Sequence, residues 1–311
     1  MSTREMMWLA FGSIIAVMFV LDLFVFNRKS HEIKFREALS WTIVWVSLAM
    51  AFNAGVWYFM GPAKALEFFT GYLIEESLSV DNLFVFIMIF SYFRVSRAQQ
   101  PKILKWGIIG ALVMRGIFIL VGIELIERFH WMVYIFGAIL VYTGIKMAFG
   151  GDDKVEPEKN PLVRLVRRFV PITKRARGDK FFIRRNGILA ATPLFLTLIV
   201  VESSDVIFAV DSIPAVLAVT HDPFIVYSSN VFAIMGLRSL YYLLAHVMEM
   251  FAYLKLGVSF ILAFVGAKML LVDVVEIPLQ LSLGVIIGTL AVSILTSVLL
   301  AKKPHKTGTG D

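Results

Sequence analysis

The stretch Tyr72-Leu-Ile-Glu75-Glu76-Ser-Leu-Ser-Val-Asp81-Asn82-Leu-Phe-Val-Phe86 sets carboxyl groups inside an otherwise apolar run. A second stretch, Val201-Glu202-Ser-Ser-Asp205-Val-Ile-Phe-Ala-Val-Asp211-Ser-Ile-Pro214, does the same. With Asp81 set over Asp211, Glu75 falls on Asp205, so one pattern, carboxylate-x5-carboxylate-Asn/Ser, is written twice. An ionisable side chain at the centre of a bilayer costs about 2.5–3.5 kcal/mol on insertion scales, so five of them facing lipid unpaired cost on the order of 12–18 kcal/mol. They must face one another, a counter-charge or a bound cation.

The rest of the chain makes the bilayer the right solvent. Hydrophobic residues are 59% of the sequence and charged residues 17%, and apolar runs long enough to cross a hydrocarbon core recur along it. The absence of cysteine excludes a disulfide framework and a thiolate metal site. The first apolar run, Met6 to Phe26, lacks a basic leader and a small-residue cleavage site, and reads as a retained helix. The net charge of +7 is not a nucleic-acid signature, because no basic segment interleaves aromatic residues as a recognition module does. It belongs to the connections between spans.

Nine spans are predicted, at about 6–26, 40–60, 67–91, 103–123, 130–149, 189–217, 224–246, 256–273 and 278–300. Lys and Arg concentrate in alternate connections: Arg28, Lys29, Lys34 and Arg36; then Arg94, Arg97, Lys102 and Lys105; then the 150–188 segment; then Lys302, Lys303 and Lys306 in the tail. That alternation predicts an external N-terminus and a cytoplasmic C-terminus. The expected organisation is two N-terminal helices (1–66), a three-helix unit (67–150), a basic cytoplasmic loop (151–188), a second three-helix unit (189–273), and a final helix with its tail (274–311). Within the loop, Pro161-Leu-Val-Arg-Leu-Val-Arg-Arg-Phe-Val170 has the pattern of a short basic amphipathic helix for an anionic lipid surface, with a charged linker as the alternative.

The repeat extends beyond the acids. Asp81, Arg115 and Gly144-Ile-Lys146-Met147 follow the same order as Asp211, Arg238 and Gly266-Ala-Lys268-Met269. Each unit holds three spans, an odd number, so the second must be inverted relative to the first. The fold class expected is therefore an all-α polytopic membrane protein with an inverted three-helix repeat, an arrangement common in secondary transporters.

The candidate metal ligands are Glu75, Asp81, Glu202, Asp205 and Asp211, with Asn82, Asn53 and Asn230 as secondary donors and the hydroxyls of Ser77, Ser79, Ser203, Ser204 and Ser212 nearby. Arg115 and Arg238 are counter-charges, since a guanidinium only donates. Glu76 is assigned a rim or salt-bridge role, and Lys146 and Lys268 snorkel toward an interface. No histidine lies mid-span, so the donor set is hard oxygen, which suits magnesium, calcium or manganese. Five carboxylates less two arginines leave three negative charges, which one divalent ion and one proton neutralise. Residues six apart lie about 240° apart on a helix. A regular helix therefore cannot aim Glu75 and Asp81 at one ion; a sixth helix broken at Pro214 and Pro193 brings Asp211 round toward Asp205, and with regular helices the alternative is two separate cation positions along a path.

At these residues the chain resembles the TerC/Alx family of bacterial integral membrane proteins. The resemblance is carried by Gly71 through Asn82, by Val201 through Pro214, and by Thr220-His-Asp-Pro-Phe-Ile-Val-Tyr-Ser-Ser-Asn230 through Gly236-Leu-Arg238. It implies a multi-pass inner-membrane protein of manganese homeostasis, with Mn2+ exported as substrate and no resident cofactor. It also implies the family's link to tellurium resistance. An enzyme reading, an intramembrane aspartyl protease built on Asp81 and Asp211, lacks the Gly-x-Gly-Asp signature and leaves three acids without a role. The alternative reading is a non-transporting scaffold that delivers metal to secreted proteins or serves tellurium resistance.

Overall fold

Four helices carry a proline at their first or second position, where the missing N–H is not needed. These are α3 (Pro62–Tyr92), α4 (Gln100–Arg128, with Pro101 second), α6 (Pro193–Leu217) and α7 (Pro223–Val247). They stand with α1 (Thr3–Val20), α2 (Phe35–Met60), α5 (Met132–Phe149), α8 (Leu254–Leu270) and α9 (Leu279–Leu300) in a computed structural model. The structure describes residues 3–20, 33–149, 163, 168, 171–173, 180–185, 188–247, 253–275 and 277–300. Each predicted span is occupied by a helix among these residues. Five of the helices, α2, α4, α5, α6 and α9, are long and apolar enough to cross a membrane.

Polarity is distributed inside out. Trp57, Leu120 and Leu299 are 63%, 65% and 79% exposed, whereas Glu75 and Arg115 are 0% and 2% exposed. A soluble protein buries the first set and solvates the second. An apolar exterior around a charged interior is what hydrocarbon solvent selects. The buried apolar side chains form three clusters: around Leu83, Phe86 and Leu104; around Ile74, Ile213 and Leu262; and around Phe52, Phe68 and Phe232.

Helices α3 and α4 each pack on α6 and α7, α2 covers α3 and α7, and α9 lies on α8 and α3. The α5–α8 pair is closest. A Cβ built on Gly266 would stand 2.7 Å from the Gly137 carbonyl oxygen, and one on Gly144 would stand 2.7 Å from that of Ser259. These two contacts require antiparallel helices whose backbones touch through small residues. Gly266→Val should therefore destabilise the protein by roughly 1–3 kcal/mol. Gly284→Val should be neutral, because nothing lies within 4 Å of that site. Thermal unfolding in detergent compares the two.

The α2–α3 corner turns at Gly61, whose φ of 91° is a conformation that side chains disfavour. At the same end of the bundle, Asp273 accepts hydrogen bonds from the Tyr134 hydroxyl and His130, the latter at 3.4 Å. The Tyr134 bond first, then the histidine, hold the Asp273 carboxyl below the usual aspartate range. A depressed carboxylate stabilises above its unfolded pKa and loses that contribution as pH falls through the lowered value. Acid scans of Asp273→Asn against wild type should diverge at neutral pH and converge at strongly acidic pH.

The structure decides between the two alternatives for the sixth span and corrects its start. The sixth span is not broken: α6 is continuous with Pro214 inside it. Pro214 lies in the last turn, so only the bond to Val210 is lost, and Ala218 N–H still reaches the Pro214 carbonyl at 2.9 Å. Nor does that span begin at 189. Residues Phe182–Arg185 (β1) and Ile188–Ala191 (β2) pair antiparallel, with Phe182 opposite Ala191, so the basic loop ends in a hairpin that delivers the chain to Pro193. The amphipathic helix expected at 161–170 lies outside the described residues apart from Val163 and Arg168, both helical.

Candidate functional site

Arg115 of α4 is the centre of the buried polar groups. Its Nη1 contacts Glu75 Oε1 of α3, and donates to Asn230 Oδ1 of α7 at 3.0 Å and to Ser212 Oγ of α6 at 3.2 Å. Its Nη2 lies 3.5 Å from Asp205 Oδ1 of α6. Four helices thus converge on one guanidinium. Asp205 and Ser212 are seven residues apart, two turns, and so share the face of α6 that meets Arg115. The Asn230 amide nitrogen donates to its own helix at the Val226 carbonyl, 3.1 Å away, which turns the amide oxygen toward Arg115.

The centre is not saturated. Glu75 Oε2, Asp205 Oδ2 and Arg115 Nε are buried without a hydrogen-bond partner, as are Glu76 Oε2 and Asn82 Nδ2. Native proteins rarely leave such atoms unpaired, and carboxylate oxygens among them call for a proton, a cation or water. Glu75 and Asp205 against Arg115 leave one net negative charge. Glu202, one turn before Asp205, adds another. Its carboxylate lies on Gly110 of α4, where a Cβ would overlap it. Glu202 and Asp205 line a small cavity with Gly107, Ala111, Phe86 and Arg238.

The sequence candidates thus divide. Glu75, Asp205 and Arg115 come together, with Glu202 beside them and Arg238 across the cavity. Asp211 points elsewhere and accepts a hydrogen bond from Thr143 of α5 at 2.8 Å. Its separation from Asp205 follows from the unbroken helix. Asp81 is in α3, and its side chain lies outside the described residues. Asn230, offered as a secondary ligand, uses its oxygen on Arg115, and Asn53 on α2 keeps a buried, unpartnered Oδ1. Among the described residues, no three His, Cys, Asp or Glu side chains are gathered as a ready metal cluster. Glu76 has an unpartnered buried oxygen rather than a salt bridge, and its other oxygen lies by Gly236. Thr143 and Gly110 escaped the sequence reading, since nothing in a lone threonine or glycine marks the carboxylate it will meet.

Comparison with known proteins agrees with the motif reading. The model of the integral membrane protein TerC family matches residues 60–305. An uncharacterized membrane protein of Myxococcus xanthus, STKORF319, is 49% identical over 95% of this chain and 93% of its own length. A protein of Escherichia coli O157:H7 named "Putative membrane-bound redox modulator Alx" is 46% identical over 98% of both chains. A Rickettsia bellii membrane protein is 38% identical over 94% of this chain and 97% of its own. No solved structure matches. A multi-pass apolar helix bundle, a doubled acidic motif and relatives along nearly the whole length lead to one conclusion: the chain belongs to the TerC family of integral membrane proteins.

Proposed function

We propose that this protein is a secondary transporter that moves Mn2+ out across a bacterial inner membrane, with protons moving inward as the counter-substrate. The observation that carries the proposal is the pair of unpartnered carboxylate oxygens, Glu75 Oε2 and Asp205 Oδ2, buried beside Arg115 in an apolar bundle. A site with one surplus negative charge and spare acceptor oxygens accommodates a proton or a cation. Arg115 acts as a tethered cation that holds the acids together between ion visits, and a divalent ion competes with it for the same oxygens. Asp211 on Thr143 is a second position on the route. The ion's identity and direction come from the family resemblance; the hard-oxygen donor set is compatible with manganese.

We read the bundle as nine spans containing an inverted repeat. Under the alignment of the two motifs, α3, α4 and α5 correspond to α6, α7 and α8. The helix packing favours this symmetry, since α3 on α7 mirrors α6 on α4, and α5 on α8 mirrors itself. The Gly144–Ser259 approach mirrors that of Gly266 and Gly137 under the Gly144–Gly266 alignment. Glu75 and Asp205, equivalent in the repeat, meet at the same arginine. Arg4, Lys64, Glu67, His130, Thr220, Asp222 and Lys268 line one vestibule, so the N-terminus shares an end of the bundle with the even-numbered connections; that this end is external rests on the Lys and Arg bias of the other connections.

The name of the Escherichia coli relative favours a second reading, a redox role. This sequence has no cysteine, so such a role cannot run through its own thiols, and we take it as indirect, through metal supply. Liposomes carrying the purified protein and an enclosed manganese-sensitive dye test the proposal. A manganese signal accelerated by an opposing proton gradient is expected. No flux above that of empty liposomes under any gradient removes transport and leaves the scaffold.

A further inference from the structure

The surroundings of the carboxylate centre are asymmetric along the bundle axis. Toward the vestibule of Lys64 and Asp222, the residues one turn away are apolar: Ile119 follows Arg115, Val216 follows Ser212, and Val226 precedes Asn230. All three are buried, at 1%, 0% and 0% exposure, within one cluster. Gly71, one turn before Glu75 on that side, is equally closed. A Cβ there would stand 3.0 Å from Ser229 Oγ and 3.3 Å from Val216 Cγ1. Packed side chains therefore seal the centre from the vestibule end.

The opposite direction leads to the end that carries the α3–α4 turn and the hairpin, which meet where Lys102 Nζ lies 4.8 Å from the Phe181 ring centre. Here the next residues are polar or small. Ser79 and Asn82 follow Glu75 on α3, Glu202 precedes Asp205 on α6, and Ala111 precedes Arg115 on α4. Glu75, Ser79, Asn82 and Phe86 are spaced by four, three and four residues, so they form one stripe of α3. Register sets that stripe against α6. Gly71 and Val216 approach each other on antiparallel helices, so Asn82, eleven residues after the first, comes level with Asp205, eleven before the second. By the same count Phe86 comes level with Val201, and these two side chains do line one cavity with Glu202 and Asp205.

Ser79 and Asn82 are 1% and 3% exposed, yet Ser79 Oγ and Asn82 Nδ2 have no hydrogen-bond partner. Other serines of these helices spend their hydroxyls on the carbonyl one turn back, as Ser77 does on Leu73 and Ser204 on Val200. Ser79 does not. Its hydroxyl and the Asn82 amide continue the row of unpartnered atoms begun by Glu75 Oε2 and Asp205 Oδ2. We propose that the Ser79–Asn82 face of α3 and Glu202 of α6 line a water-filled passage from the α3–α4 end of the bundle to the carboxylate centre. Water bound along it satisfies these donors and acceptors, and a hydrated cation exchanges its shell for their oxygens on the way in. Phe86, at the end of the stripe, closes the passage in this state. That an ion uses it rests on the transport reading; the passage itself rests on packing and unpaired polar atoms.

The test exploits a chain that has no cysteine of its own. Ser79→Cys and Asn82→Cys each place a single thiol in the full-length protein, and Val216→Cys places one on the sealed side. All variants are first shown to be monodisperse in detergent. A charged, membrane-impermeant maleimide is then applied to either face of sealed membrane vesicles. Ala98→Cys in the α3–α4 turn and His221→Cys in the α6–α7 connection, both exposed, assign the faces, and the 65% exposed Leu120→Cys, facing lipid, sets the background. Ser79→Cys and Asn82→Cys should label from the face that labels Ala98→Cys, and Val216→Cys should stay at background from that face. Background labelling of either Ser79→Cys or Asn82→Cys from that face, or labelling of Val216→Cys at their rate, overturns the proposal. Labelling as expected without manganese flux in liposomes would remove the transport reading and leave the passage standing.

Discussion

Arg115→Met should lower the unfolding free energy by about 3–5 kcal/mol, the largest stability effect expected of any single change in this chain. The reason is not loss of a favourable pair alone. Arg115 is 2% exposed and holds Glu75, Asp205, Ser212 and Asn230 at once. Methionine fills similar volume but leaves two carboxylates buried without a positive partner. Glu75→Gln in the same background removes one of those charges, so the double variant should be more stable than Arg115→Met alone. A double-mutant cycle in detergent reads the coupling. Strictly additive effects would mean that the two side chains do not interact in the folded protein.

Asp205→Asn should reduce manganese flux roughly tenfold to a hundredfold, the loss of one charged ligand contact. Asparagine keeps the shape and an oxygen for Arg115, so the bundle should stay folded. Asp211→Asn should also slow flux, but by a different route. Asp211 is on Thr143, apart from the arginine centre. Its substitution should leave equilibrium binding at Glu75 and Asp205 unchanged. Binding lost equally in both variants would argue for one merged site instead of two positions along a path.

Much of this architecture is legible in the sequence because bilayer solvent writes a simple code. Apolar runs gave helix positions: the run predicted at 224–246 is α7, Pro223–Val247, and that at 130–149 is α5, Met132–Phe149. Of the duplicated acids, Glu75 and Asp205 meet at Arg115, as the cost of buried charge requires of such groups, whereas Asp211 meets Thr143. The partner of each acid was less legible. Order along the chain aligned Arg115 with Arg238, yet packing gives Arg115 to Glu75 and Asp205, while Arg238 lines the cavity that Glu202 and Asp205 also line. Which rotation of each helix meets its neighbour depends on close contacts such as Gly110 under Glu202, and residue type alone does not encode these.

The choice between a broken and a regular sixth helix was not legible for a related reason. A proline in an apolar run signals a break only when several turns follow it, and here α6 ends at Leu217. The hairpin has a local signal in the sequence. Asn186-Gly187 lies between Phe182-Ile-Arg-Arg185 and Ile188-Leu-Ala-Ala191, the two-residue turn most typical of paired strands.

Equilibrium Mn2+ titration of the detergent-purified protein in weak buffer, with pH followed alongside binding, tests the buried centre most directly. Wild type should bind the ion saturably and release protons as it does so, and the Glu75→Gln/Asp205→Asn variant, still folded, should do neither. Equal binding and equal proton release by that double variant would contradict the account.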